Sequence, residues 1–125
     1  MKVMIVDDDA DIRRMIVKVL EHRGHTVTQC ETPFGVSALV VREQPEVVVL
    51  DMMMPGLSGA TLAEIIGRLE LPSPPKVVLW SVMEDNQLAD EGARLGLPVV
   101  SKASRPSVLV ETIERLQSWK SRDGG

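Results

Sequence analysis

The stretch Val47-Val48-Val49-Leu50-Asp51-Met52-Met53-Met54-Pro55-Gly56 decides the fold. Its first four residues are apolar in succession rather than in alternation. That pattern belongs to a strand buried on both faces, as in a parallel sheet between layers of helices. An acid ends the run, and a Pro-Gly pair suited to a tight turn follows. Val3-Met4-Ile5-Val6 upstream and Val77-Val78-Leu79-Trp80 downstream have the same character, and Thr26-Val27-Thr28 and the weaker Val99-Val100 bring the strands to five.

Helical patterns fill the intervals. Ile12, Met15, Ile16, Val19 and Leu20 recur on one helical face, and Gly24 supplies a stop. Thr32-Pro33 reads as a cap and first-turn proline leading to Val36, Leu39 and Val40. Ser58-Gly59 precedes Leu62, Ile65, Ile66 and Leu69, while Ser104 and Pro106 open a last helix with Leu109, Ile113 and Leu116. Glu84 to Leu95 also reads as helix, with a thin apolar face of Leu88, Gly92 and Leu95 that predicts the least firmly packed helix. Strand and helix alternate five times, which implies an α/β fold of parallel strands joined by right-handed crossovers.

Composition narrows the function. The chain has 125 residues, 44% hydrophobic and 26% charged, in the range of one ordinary globular domain. Residues 1–120 are expected to form that domain and 121–125 a flexible tail or the start of a linker. A lone Cys30 excludes a disulfide scaffold. No apolar run approaches the roughly 20 residues that span a bilayer, and Met1 to Val6 runs at once into acids, unlike a signal peptide. The expectation is a cytoplasmic protein without membrane contact. A net charge of −4 argues against a direct nucleic-acid surface. The aromatics are Phe34, Trp80 and Trp119, with no tyrosine.

Chemistry gathers at the strand ends. In open parallel sheets, ligands bind beyond the carboxyl ends of the strands, where strand order reverses. The first strand ends in Asp7-Asp8-Asp9, the third in Asp51 and the fourth in Ser81, and Lys102 follows the fifth. If the first and third strands are neighbours, Asp7, Asp8 and Asp51 converge. Carboxylates that close need raised pKa values or a cation among them, and a set of hard oxygens suits Mg²⁺ or Mn²⁺. Any one of these residues alone would be ordinary: Asp9 fits a helix cap, Lys102 a solvated surface residue, Ser81 a turn serine. Their joint occurrence carries the information.

These residues resemble a known family. Val3-Met4-Ile5-Val6-Asp7-Asp8-Asp9-Ala10-Asp11-Ile12-Arg13 is similar to the opening of a response-regulator receiver domain, and Val48 to Gly59 to its phosphoacceptor segment. Ser81 and Lys102 fall at the matching strand ends. The resemblance implies a three-layer, flavodoxin-like (βα)5 fold with strand order 2-1-3-4-5. It implies that Asp51 accepts a phosphoryl group from a sensor histidine kinase or phosphotransfer protein. Asp8, Asp51 and the Met53 backbone carbonyl would bind Mg²⁺ directly, with Asp7 acting through water. Ser81 and Lys102 would each engage a phosphoryl oxygen. The fourth helix, fifth strand and last helix would form the face that meets a downstream protein or a second copy. Such a chain catalyses only its own phosphorylation and dephosphorylation.

Departures from the family pattern are specific. Val99 stands where an aromatic usually precedes the lysine by three residues, Ala103 where a proline usually follows it, and Val82 where a small residue usually flanks the hydroxyl. Met53 and Met83 occupy positions that tune attack by water, and neither side chain can activate one. A long-lived phosphorylated state is therefore expected. Three further readings are plainer: packing for Met52 to Met54, dipole-favoured cations for His22 and His25, and a surface pair for Glu111 and Arg115.

Two alternatives come from other classes. Val82, Val99 and Ala103 would suit a degenerate receiver acting as a phosphorylation-independent interaction module. Asp7-x-Asp9 superficially suits the nucleophile motif of haloacid-dehalogenase-like Mg²⁺ phosphohydrolases, but Asp11 stands where that motif has threonine.

Overall fold

In a computed structural model the chain is described over residues 1–124, with side chains through Leu116. The elements run β1 (Lys2–Val6), α1 (Ala10–His22), β2 (Thr26–Cys30), α2 (Val36–Glu43), β3 (Val47–Asp51), α3 (Gly59–Gly67), β4 (Lys76–Ser81), α4 (Asp85–Leu95), β5 (Val99–Ser101) and α5 (Pro106–Gly124). The tail or linker start expected at 121–125 lies outside the residues described in full, as does Trp119. No helix of the described residues is long and apolar enough to cross a membrane.

The five strands form one parallel sheet in the order β2-β1-β3-β4-β5. The three-layer flavodoxin-like arrangement therefore holds. The chain steps outward from β1 to β2 and then crosses to β3, so strand order reverses between β1 and β3. Alternation along the strands sorts the core into two clusters. Val3, Ile5, Val47, Val49, Val78, Trp80 and Val100 pack with Ile16, Val17 and Leu20 of α1 and with Leu109, Val110 and Ile113 of α5. Met4, Val6, Val48, Leu50, Val77 and Leu79 pack with Val36 and Val40 of α2, with Leu62, Ala63 and Ile66 of α3, and with Leu88 of α4. Burial on both faces of β3 is what its unbroken aliphatic run required.

Local chemistry sets the helix starts. Asp9 caps α1 by accepting from the Asp11 and Ile12 N–H groups, each at 3.1 Å. Ser58 caps α3 by accepting from the Thr61 N–H at 3.2 Å. The cap expected at Thr32-Pro33 is not the start of α2. Residues 32–35 form a turn in which Thr32 Oγ1 accepts from the Phe34 N–H at 3.3 Å, and α2 begins after Gly35 at φ 82°. The Thr-Pro signal was satisfied by a local turn, which competes with helix for the same donors. Only Leu88 and Gly92 of α4 are buried, in keeping with its thin apolar face. Among the described ion pairs Glu111–Arg115 does not occur. Arg115 donates instead to Thr112 Oγ1 at 3.3 Å.

Candidate functional site

The carboxyl ends of β1, β3, β4 and β5 bring Asp7, Asp8, Asp51, Ser81 and Lys102 together, because β1 and β3 are neighbours. One carboxylate oxygen from each of Asp7, Asp8 and Asp51 lies within 4.8 Å of the others. Asp7, Asp51 and Ser81 are buried, while Asp8 is exposed.

Each buried acid is held by named donors. Asp7 Oδ1 accepts from the Asp9 N–H at 2.9 Å. Asp7 Oδ2 accepts from Trp80 Nε1–H and from Lys102 Nζ, both at 2.8 Å. Asp51 Oδ1 accepts from the Met53 N–H at 3.0 Å, and Oδ2 accepts from Lys102 Nζ at 3.2 Å. Lys102, 6% exposed at its side chain, is thus shared between two acids. Its own N–H donates to the Ser81 carbonyl at 2.7 Å, which fixes the start of the loop after β5.

The two acids respond in opposite directions. Burial pushes the Asp51 carboxyl up to about 6, outweighing the Met53 N–H and the Lys102 charge, and the neighbouring Asp7 adds to the rise. Burial also acts upward on Asp7, but the donors Lys102, Asp9 N–H and Trp80 outweigh it and hold Asp7 below the ordinary carboxylate range. Burial acts downward on Lys102, and its bonds and charge contacts with Asp7 and Asp51 reverse this, so the ammonium persists.

The surrounding backbone constrains Asp51. The Met52 N–H donates to the Trp80 carbonyl at 3.1 Å, and the Gly59 N–H to the Met52 carbonyl at 3.3 Å. The first residue of α3 stands so close to this turn that a Cβ on Gly59 would lie 2.9 Å from the Asp51 carbonyl carbon. Ser81 Oγ accepts from the Met83 N–H at 3.1 Å. Met52 and Met54 pack into the core as expected, whereas Met53 is 56% exposed, so packing does not explain it. A side chain after a strand end alternates outward when its neighbours alternate inward. Val82, beside Ser81, is 66% exposed. Val99 fills a notch in α4, where a Cβ on Gly92 would lie 2.6 Å from Val99 Cγ1. No described peptide bond is cis, including the one between Lys102 and Ala103.

Two site residues escaped the sequence reading. Trp80 reads in the sequence only as a strand residue, yet a buried indole N–H needs an acceptor, and Asp7 is the one it finds. Arg13 is buried and donates through Nη1 to the Asp7 carbonyl at 2.8 Å and through Nε to Gln29 Oε1 at 3.1 Å. The signal for Arg13 was available: it shares a helical face with Ile16, Val17 and Leu20, where a charge must find partners. His25, by contrast, lies outside the acidic cluster and is held by partners of its own. Its Nε2 contacts Glu114 Oε2 at 2.9 Å, and its Nδ1 the Met1 ammonium at 3.1 Å.

Comparison with known proteins agrees with this geometry. A family model described as the response regulator receiver domain matches residues 3–114. The phosphate regulon transcriptional regulatory protein PhoB of Pseudomonas aeruginosa is 32% identical over 125 residues, covering 98% of this chain and 52% of that protein. The sporulation initiation phosphotransferase F of Bacillus subtilis is 28% identical over 96 residues, covering 76% of this chain and 75% of that protein. The chain thus spans about half the length of PhoB. Among solved structures, the Francisella response regulator 1452 receiver domain superposes with a TM-score of 0.84 at 24% identity, covering 95% of this chain and 98% of that one. The match over nearly its whole length, with acids and lysine converging where strand order reverses, makes this chain a member of the response regulator receiver domain family.

Proposed function

We propose that this chain is a phosphorylation-controlled switch that accepts a phosphoryl group on Asp51 from a phosphohistidine of a sensor histidine kinase or phosphotransfer protein. The observation that carries it is a buried carboxylate, Asp51, flanked by Lys102 at 3.2 Å and by two further acids. A carboxylate oxygen of Asp51 attacks phosphorus, the donor's N–P bond breaks, and its electron pair returns to the imidazole nitrogen, leaving an acyl phosphate on Asp51. Lys102 is poised to pair with an oxygen of the transferring group, where charge must be stabilised. Ser81 would engage another oxygen by turning its hydroxyl proton toward it.

The donor set fits a hard divalent cation: three carboxylates, two of them buried, offer oxygens within 4.8 Å. Asp8, Asp51 and the Met53 carbonyl would hold Mg²⁺ or Mn²⁺, and Asp7 would reach it through water. Such a cation supplies neutralisation of charge on the transferring oxygens. The chain's own catalysis stops at taking and losing one phosphoryl group, and the switch acts by shifting populations between two partner-binding states. The face of α4, β5 and α5 would meet a downstream protein or a second copy. The names of relatives, a transcriptional regulator and a phosphotransferase among them, support a place in two-component signalling inside the cell.

Acetyl phosphate with Mg²⁺ tests the reading. Wild type is expected to gain an acid-labile phosphoryl group that Asp51→Asn lacks. An unlabelled wild type, or equal partner affinity with and without beryllofluoride, would instead favour a phosphorylation-independent module.

A further inference from the structure

Trp80 lies outside the residues that the family resemblance assigns, yet its contacts lie inside the site. It sits on β4, 3% exposed, and pairs in register with Asp51 on β3. Its indole passes β3 to reach Asp7 beyond the end of β1, with Nε1–H donating to Oδ2 at 2.8 Å. Lys102 Nζ approaches the same oxygen at 2.8 Å and lies 5.7 Å from the centroid of the Trp80 ring.

Asp7 Oδ2 therefore has two donors of different kinds. One is fixed to a central strand, and the other is an ammonium on a flexible stem that also serves Asp51 Oδ2 at 3.2 Å. An oxyanion arriving on Asp51 competes for that ammonium. If Lys102 were the sole donor to Oδ2, its departure would leave a buried carboxylate oxygen unpaired, and such a loss is costly. The indole removes that cost. We propose that Trp80 is a positioning residue: its N–H keeps Asp7 Oδ2 held and compensated, so that Lys102 is free to turn from Asp7 to a phosphoryl oxygen on Asp51. This rests on the reading of Asp51 as phosphoacceptor. Asp7 Oδ1, held separately by the Asp9 N–H at 2.9 Å, keeps one lone-pair direction free for a water-mediated role that does not depend on the indole.

The test uses beryllofluoride as the phosphoryl mimic and Mg²⁺ alone as a second probe, both titrated calorimetrically. Trp80→Phe removes the N–H. A second variant carries benzothienylalanine at position 80 in a Trp119→Phe background, which keeps the ring's shape without the donor. Beryllofluoride affinity at saturating Mg²⁺ is expected to fall about tenfold in both variants. Mg²⁺ affinity without beryllofluoride is expected to be retained, which a general loosening of the site would not allow. Unchanged beryllofluoride affinity in the isostere, or parallel loss of both affinities, overturns the inference while leaving Asp51 as acceptor intact. Failure of wild type to bind beryllofluoride, or equal binding by Asp51→Asn, overturns the acceptor reading and this inference with it.

Discussion

Replacing Asp51 by asparagine is expected to stabilise the fold at pH 8 in the absence of divalent cations, although it removes the proposed acceptor. Burial raises the Asp51 carboxyl from 3.8 to about 6 in spite of the Met53 N–H and Lys102. The folded chain then holds this proton more tightly than the unfolded chain does. Between 3.8 and about 6 the folded state carries the greater number of bound protons, so stability falls as pH rises through that window. Two pKa units correspond to about 3 kcal/mol. Asparagine escapes that penalty, being neutral and of the same shape. It gives back part of the gain: with Oδ1 still accepting from Met53, the amide nitrogen meets Lys102 donor to donor, at a cost of about 1–2 kcal/mol. A net gain of about 1–2 kcal/mol is left at pH 8; it crosses zero at about pH 5 and reverses to a loss of about 1–2 kcal/mol by about pH 3.5, where the penalty on wild type has gone and the donor–donor contact remains. Mg²⁺ should narrow the difference by stabilising wild type through mass action. Urea denaturation at several pH values, with and without Mg²⁺, measures all of this. An Asp51→Asn chain no more stable than wild type at pH 8 without cation would refute the account of a strained, buried carboxylate.

Further outcomes follow from single contacts. Gly59→Ala places a Cβ 2.9 Å from both the Asp51 carbonyl carbon and Met52 Cα, rigid backbone on each side; a loss of about 1–3 kcal/mol in urea unfolding is expected, and wild-type stability would contradict the close approach. Gly92→Ala drives a Cβ into Val99 Cγ1 and to 3.0 Å from the Leu97 carbonyl oxygen, so Val99→Ala in the same chain should recover only part of the loss, with a coupling of about 1 kcal/mol, whereas additive effects would dismiss the notch. Hydrogen bonds from Arg23 and then His25 hold Glu114 below its ordinary value of 4.5, so its contribution is present above that pH and lost as pH falls through the lowered value. The thermal midpoint of Glu114→Gln should therefore lie slightly below that of wild type at neutral pH, the pair being largely exposed, and converge with it in acid. Met53 and Met83 predict a phosphorylated state lasting many minutes by radiolabel decay; a lifetime of a few seconds would contradict it.

The sheet was legible because β1, β3 and β4 must be apolar on both faces, and no helix of that length would need four aliphatics in succession. The acids and Lys102 were legible because parallel topology forces strand ends together. What the sequence concealed depends on side-chain reach. Trp80 crosses a neighbouring strand to find Asp7, and no spacing along the chain encodes that distance. Thr32-Pro33 misled because its hydroxyl could satisfy either a helix or a turn, and the turn took it. The notch at Gly92 explains how Val99 is accommodated where the family carries an aromatic, since the helix backbone approaches β5 directly.

Because strand residues alternate between faces, the sheet divides the site as a wall divides two rooms. Asp7, Asp51 and Lys102 continue the side that carries Ile5, Val49, Trp80 and Val100, against α1 and α5. Ser81 continues the other side, with Leu79 and Val99, against α3 and α4. Under the proposed function, rearrangement of the ions would be felt first by one helical layer, and rotation of the hydroxyl by the other. If Asp51 takes a phosphoryl group as proposed, one event there would reach two separate walls of the molecule, and a substitution on one side would silence one response while leaving the other.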